Sequence, residues 1–179
     1  VALSICYTIN EGGVMKVEQT ITPNDETAVP LALRYGMTLQ MPVDMCQSEY
    51  FGRGPLENYA DRKASQFVGQ YKYNVAQAQC PYTPYQAWGN HCDVRYWRQT
   101  NAQGLGLEVS SAATFGASAY LAKTLLSAID LHIDLKQSGV NEMVNVGQYP
   151  EMITDTRVLL HKQTFTFWLN PIVANVEKH

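Results

Sequence analysis

Cysteine is scarce in these 179 residues. The four present, Cys6, Cys46, Cys80 and Cys92, form no Cys-x-x-Cys pair and stand near no histidine at zinc-finger spacing. A metal knot is therefore excluded. Free thiols are expected rather than disulfides, since a chain this long needs no covalent staples. Charge is also sparse, at 16% of residues with a net of -3 and both signs interspersed. That balance gives no electrostatic footprint for nucleic acid or an anionic membrane. No apolar run approaches the roughly 20 residues that span a bilayer. The opening Val1-Ala2-Leu3-Ser4-Ile5 lacks the basic and apolar regions of a signal peptide. A soluble protein is expected, cytoplasmic or periplasmic.

Catalytic signatures are missing as well. There is no Gly-x-Ser-x-Gly elbow, Walker loop or dinucleotide fingerprint, and Gly104-x-Gly106 is too short to count. His91, His132, His161 and His179 never fall at i, i+2 or i, i+4 spacing, so they read as surface histidines. Asp130 and Asp134 would need further oxygen ligands to hold a cation, and the sequence announces none. No metal site and no cofactor is expected.

What the sequence does have is apolar residues, 46% hydrophobic with 11% aromatic, which is enough for one core over residues 1–179. Their period is two. Leu3, Ile5, Tyr7 and Ile9 alternate with polar or small residues, as in a half-buried strand, and Asn10-Glu11-Gly12-Gly13 turns the chain into a second strand over Val14 to Ile21. Leu31 to Met41 reads as another strand closed by Pro42. Alternation returns at Leu105, Leu107 and Val109 after the Asn101-Ala102-Gln103-Gly104 turn. It recurs at Leu131, Ile133 and Leu135 opposite His132, Asp134 and Lys136, and at Phe165, Phe167 and Leu169. Only Leu121 to Ile129 predicts a short helix. Many short strands without a βαβ rhythm predict an all-β antiparallel sandwich or barrel.

The densest group of unusual residues is Glu49-Tyr50-Phe51-Gly52-Arg53-Gly54-Pro55-Leu56-Glu57-Asn58-Tyr59-Ala60-Asp61-Arg62. Glycines and a proline fix an irregular backbone, while two guanidinium forks and carboxylates crowd one short segment. Two readings follow. One is a surface for polyhydroxylated ligands, which bind planar polar groups beside aromatic faces. The other, preferred on residue types alone, is an ion-paired loop bracing the sandwich edge.

The pattern Tyr50-x-Gly52-Arg53-Gly54-Pro55-x-Glu57-Asn58-Tyr59-x-Asp61-Arg62 resembles the signature of the small-chain domain of glycoside hydrolase family 2 β-galactosidases. The likeness continues through Val68-Gly69-Gln70-Tyr71, Pro81-Tyr82, Gln86, Gly89-Asn90, Asp93-Val94-Arg95 and Ile133-Asp134-Leu135-Lys136-Gln137-Ser138-Gly139-Val140, covering most of the chain. The resemblance implies an antiparallel β-supersandwich, akin to galactose mutarotase, within a larger multidomain enzyme that hydrolyses terminal β-D-galactosides. It also implies that the catalytic glutamates lie elsewhere, on a (β/α)₈ barrel, because retaining hydrolysis sets two carboxylates about 5 Å apart and this chain is too short to hold the barrel. The implied partners are that barrel domain or subunit, the β-galactoside, and further copies in an oligomeric enzyme.

The expected role is to complete the active-site cleft and its carbohydrate binding without turnover. Candidates for the cleft wall or domain contact are Arg53, Glu57, Asn58, Asp61, Arg62, Gln86, Trp88, Asn90, Arg95 and Tyr149. Three departures mark this chain. No tryptophan stands in the loop after Gly139-Val140, which leaves Tyr149 or Trp88 to replace it. The Tyr120 to Leu131 connection is short. Ala87 and Trp88 replace a carboxylate and an amide, so Trp88 reads either as a stacking platform or as packing. The alternatives are a free-standing sugar-binding module, an aldose epimerase of the same fold, or a pure interaction module.

Overall fold

Two asparagine–glycine turns frame the architecture. Asn10 opens the first, its side chain accepting from Val14 N at 3.0 Å while Gly13 closes it at φ +77°. Asn101 opens the second, accepting from Gln103 N and Leu105 N at 3.0 Å, with Gly104 also at φ +77°. Each glycine takes a left-handed conformation that an L side chain resists, and each asparagine supplies the acceptor that closes the loop. A computed structural model describes residues 1–25, 31–77, 88–122, 128–138, 156 and 158–173.

The strands are β1 (Ala2–Ile9), β2 (Met15–Thr22), β3 (Leu31–Ala32), β4 (Arg34–Pro42), β5 (Gln47–Gly54), β6 (Phe67–Asn74), β7 (His91–Thr100), β8 (Gly106–Leu121), β9 (Ala128–Gln137), β10 (Val158–Leu159) and β11 (Gln163–Ile172). One 3-10 turn, Val75–Gln77, follows β6. Every pairing is antiparallel, so the all-β expectation holds. The main sheet runs β1-β2-β11-β8-β7-β5-β6, and β4 and β9 branch from it because β9 pairs β8 and β4 pairs β9. β8 is long enough, at 16 residues, to serve both branches. Its residues 106–111 meet β11, and its residues 116–121 meet β9.

The core lies between the branches. Val17 and Ile21 of β2, Phe165, Phe167 and Leu169 of β11, and Ile129, Leu131 and Ile133 of β9 share it with Trp97 and Phe115. Tyr35 of β4 reaches across it, donating from its hydroxyl to Gln19 O at 2.7 Å. The buried Gln99 carboxamide is satisfied from three directions, accepting from Ser48 Oγ and Trp97 Nε1 and donating to Met45 O. That is the condition for polar atoms to sit in a core at all.

Several expectations are corrected. The short helix predicted over Leu121 to Ile129 is not seen: Leu121 ends β8, Ala128 and Ile129 begin β9, and Ala122 N donates to Ala128 O at 2.9 Å, while 123–127 lie outside the described residues. Leu31 to Met41 is two strands, broken at the exposed Leu33. β1 is exposed along its whole length rather than half-buried. The second face of β9 is not a solvated one either, for His132 and Asp134 are as buried as Leu131 and Ile133. β9 lies between β4 and β8, and the rings of Tyr120 and Trp88 and the guanidinium of Arg34 cover that face. His91 too is buried, so the surface reading fails for two of the histidines; His161 is exposed, and His179 lies outside the described residues.

Cys6 is exposed and Cys46 and Cys92 are half-buried, all three as free thiols, while Cys80 lies outside the described residues. Burial pushes the Cys92 thiol up to about 11, which keeps it protonated and unreactive at neutral pH. Among the described residues, no helix is long and apolar enough to cross a membrane.

Candidate functional site

Strand β5 delivers the signature segment at its end. Two close approaches explain its small residues. A Cβ on Gly52 would lie 3.0 Å from the Val94 backbone, and one on Gly54 would meet the Tyr50 hydroxyl at 2.3 Å. The Tyr50 ring itself is fully buried, stacked on Trp97 with centroids 5.0 Å apart and tilted against His91 at 4.3 Å.

His91 Nδ1 lies 2.8 Å from the Tyr50 hydroxyl and 3.1 Å from Arg53 O. A carbonyl only accepts, so Nδ1 carries the proton and shares it between these oxygens. Burial lowers the His91 pKa to about 4, and the Arg53 carbonyl offsets only part of that. His132 is lowered to about 3, by burial and then by the Arg34 charge. Both imidazoles are therefore neutral in the folded protein above pH 5.

Their ordinary value is 6.5. As pH falls through that value the unfolded chain takes up protons that the folded chain refuses, so stability present above pH 6.5 is lost progressively toward pH 4. The linkage for His91 alone amounts to about 3 kcal/mol across that window. Urea midpoints measured from pH 7.5 to 4.5 should drop steeply. Replacing both histidines by asparagine should flatten the slope, and an unchanged slope in that variant would rule this out.

The remaining site residues form a clasp between the turn after β5 and the start of β7. Asn58 is fully buried and its amide is fully used. Nδ2 donates to Arg53 O and Leu56 O, each at 3.0 Å, and Oδ1 accepts from Cys92 N at 2.8 Å. Its backbone N donates to Asn90 O at 2.7 Å, and its carbonyl accepts from Asn90 Nδ2 at 2.8 Å. Asn90 is buried opposite Gly116, where an added Cβ would come within 3.2 Å of Asn90 Oδ1.

Arg53 donates from Nε to Asp93 and from Nη1 to Gln66 O at 2.8 Å. Asp93 also receives Lys63 Nζ at 3.0 Å. Burial pushes the Asp93 carboxyl upward, but the hydrogen bonds and charges of Arg53 and Lys63 outweigh it, and the pKa ends below the usual carboxylate range. Asp93 sits at φ +54° where the β7 register shifts, a bulge that turns its side chain onto Arg53.

Glu57 ties two segments together. Oε1 accepts from Arg62 Nη2 at 2.8 Å, and Oε2 accepts from Gly89 N at 2.7 Å. Arg62 in turn lies over the Tyr59 ring, 4.7 Å from its centroid. Its side chain is 45% exposed, however. The Glu57–Arg62 pair is therefore a solvent-screened one. Arg62→Ala should lower the unfolding free energy by about 1 kcal/mol or less, and a larger loss in urea titration would contradict the exposed pair.

The other candidates are more scattered. Asp61 Oδ1 is buried without a hydrogen-bond partner among the described residues. Arg95 is exposed, donating to Asp93 O and lying over the Phe51 ring, 5.2 Å from its centroid. Trp88 packs on Tyr120, centroids 4.9 Å apart, and Tyr120 stacks on His132. Gln86 and Tyr149 lie outside the described residues. Sequence reasoning missed Lys63, Gln66 and His91. Lys63 and Gln66 lie just past the motif, and His91 reaches it from β7; of the residues around Arg53 only Asp93 fell inside a recognised motif.

The ion-paired turn, its Asn58 hub and the β7 bulge rest on residues 50–62 and 89–95 of the sequence pattern, and a family comparison covers them all. The family model described as beta galactosidase small chain matches residues 1–169. The chain belongs to the β-galactosidase small-chain family. It is 34% identical to a β-galactosidase of Priestia megaterium over 110 residues, which is 62% of this chain and 10% of that enzyme. It is 30% identical to a β-galactosidase of Vibrio vulnificus over 136 residues, 75% of this chain and 12% of that enzyme. With a Vibrio cholerae β-galactosidase the identity is 42% over 67 residues, 37% of this chain and 6% of that enzyme. The matched stretches thus span 6% to 12% of the length of these relatives.

Proposed function

We propose that this small-chain domain is a non-catalytic component of an enzyme that hydrolyses terminal β-D-galactosides, with the clasp of Arg53, Glu57, Asn58, Asp61 and Arg62 forming a wall of the cleft and a contact with the barrel-bearing part. The observation that carries this is the family match over residues 1–169, joined to relatives some ten times longer than the matched stretch.

The electrostatics of the carboxylates support a non-catalytic role. A glycosidase acid needs a carboxyl held protonated near neutral pH at an accessible position. Glu49 is instead lowered, by its hydrogen bond to Lys72 first, and Asp93 is lowered as well. Glu57 and Glu108 are each paired with an arginine, and Asp134, the carboxyl that burial pushes up, is closed off within the sandwich against Arg34 and out of reach of a substrate. The epimerase alternative needs an acid and a base facing a bound sugar, and the two histidines within the sandwich are buried and hydrogen-bonded inside it.

The test is hydrolysis of a chromogenic β-galactoside by the purified chain, alone and mixed with its matching barrel-bearing polypeptide. Turnover only in the mixture is expected. Turnover by the chain alone would overturn the non-catalytic role, and an inactive mixture would count against the partnership.

A further inference from the structure

β1 carries the largest anomaly in the molecule. Leu3, Ile5, Tyr7 and Ile9 are 57%, 38%, 54% and 62% exposed, although they alternate as a buried face should. The register places Leu3 beside Ile21, Tyr7 beside Val17 and Ile9 beside Met15. Directly opposed residues of an antiparallel pair point to the same side of the sheet. The apolar row of β1 is therefore the continuation of the core face of β2, left without a cover.

The topology says what is missing. Counting outward from β8, one layer continues through β11 and β2 to β1, three strands, while the facing layer continues through β9 to β4 and ends, two strands. Tyr35 of β4 bonds across the core to Gln19 of β2, so β4 lies over β2. A strand hydrogen-bonded to the free edge of β4, about 4.8 Å further out, would lie about 10 Å above β1, the ordinary spacing of packed sheets. No strand among the described residues pairs with that edge. A second copy adding to the edge of β1 would only extend the sheet in plane and lengthen the uncovered row.

We infer that the β1 face and the β4 edge form an open bay that receives an extended, apolar-faced strand from another part of the same β-galactosidase. This rests on the reading that the chain works within such an enzyme, whose relatives place about nine-tenths of their length outside the matched stretch. It locates a second attachment at the end of the sheet opposite the signature turn, which β5 carries next to the far edge strand β6.

Binding of the matching barrel-bearing polypeptide to the purified chain, followed by calorimetry and by amide hydrogen exchange, tests it. With wild type, complex formation should slow exchange in β1 and β4. Leu3→Glu/Tyr7→Glu should weaken binding roughly tenfold or more, the scale of losing an interface anchor. The milder Leu3→Thr/Tyr7→Thr should weaken it in the same direction, with an unchanged circular dichroism spectrum confirming the fold. Ser4→Glu/Thr8→Glu, on the opposite face, should bind like wild type. Equal affinity for all variants would overturn this inference and leave the partnership standing, whereas no complex with wild type would remove both. A dimer of the isolated chain in sedimentation that Leu3→Glu/Tyr7→Glu dissolves would assign the face to a second copy instead, and overturn it.

Discussion

Asp134→Ala is expected to remove about 3 to 5 kcal/mol of stability, the usual consequence of leaving one member of a buried ion pair alone. Asp134 is almost wholly buried on β9 and takes both Nε and Nη2 of Arg34 in a bidentate pair, Nε at 3.1 Å. Burial works against the Arg34 cation, but the charge and hydrogen bonds of Asp134 outweigh it and hold the guanidinium above its ordinary pKa. Without Asp134 that cation, its side chain 29% exposed, keeps only its hydrogen bond with Tyr120 beside a neutral His132.

For a chain of this length each kcal/mol moves the thermal midpoint by about 2 to 4 °C, so a drop of roughly 10 °C is the expected reading in a melting scan. The double replacement Arg34→Met/Asp134→Leu should recover most of it, because apolar residues of similar volume remove both charges together. A single replacement with no effect on the midpoint would show that the pair is not buried in solution. Gly36 guards the same contact. A Cβ there would lie 2.1 Å from Ile133 O and 2.5 Å from Asp134 Oδ1, at the register shift between β4 and β9.

Asn58→Ala is expected to be as damaging and to act on the clasp directly. Three side-chain hydrogen bonds disappear, stranding Cys92 N and leaving the Leu56 carbonyl without its donor, while the Arg53 carbonyl keeps only His91 Nδ1. Each buried group left unsatisfied costs about 1 to 3 kcal/mol, so about 3 to 5 kcal/mol in total is a reasonable scale. Asn58→Asp separates chemistry from shape. It keeps the acceptor for Cys92 N but cannot donate to two carbonyls, so it should also destabilise. If aspartate melted like wild type, volume rather than hydrogen bonding would be what the site requires. In the mixed hydrolysis assay both variants should lose complementation at temperatures where wild type still folds.

Much of this architecture is legible in the sequence because it is encoded locally. The two asparagine turns carry their own closure, and the alternation of Phe165, Phe167 and Leu169 matches the buried face of β11. The same alternation misleads at β1, since a period of two names a face without saying whether a second layer exists to cover it. At β9 the reverse holds. His132 and Asp134 look like a solvated face until the strand is placed between β4 and β8, and their burial depends on Tyr120 of the preceding strand and on Arg34, 100 residues from Asp134 in the chain.

The signature turn was conspicuous by composition, and residue types favoured an ion-paired brace. Its pairs with Arg62 and Asp93 have that form. Its deeper partners Gln66, Lys63 and His91 had no marker of their own. They contribute backbone acceptors, a second cation and a neutral ring that only the folded register brings together.

The shared strand β8 has a mechanical consequence. One backbone runs through both branches of the fold, bonded on one edge to β7 and on the other to β11 along its first part and to β9 along its last. The layers cannot slide past each other without breaking that common rail, and a displacement at the clasp passes from β5 to β7 to β8 and on through β11 to β2 and β1 along continuous ladders of hydrogen bonds. A partner gripping the chain at both ends would therefore hold a strut rather than a hinge, and a displacement at the clasp would move the whole piece.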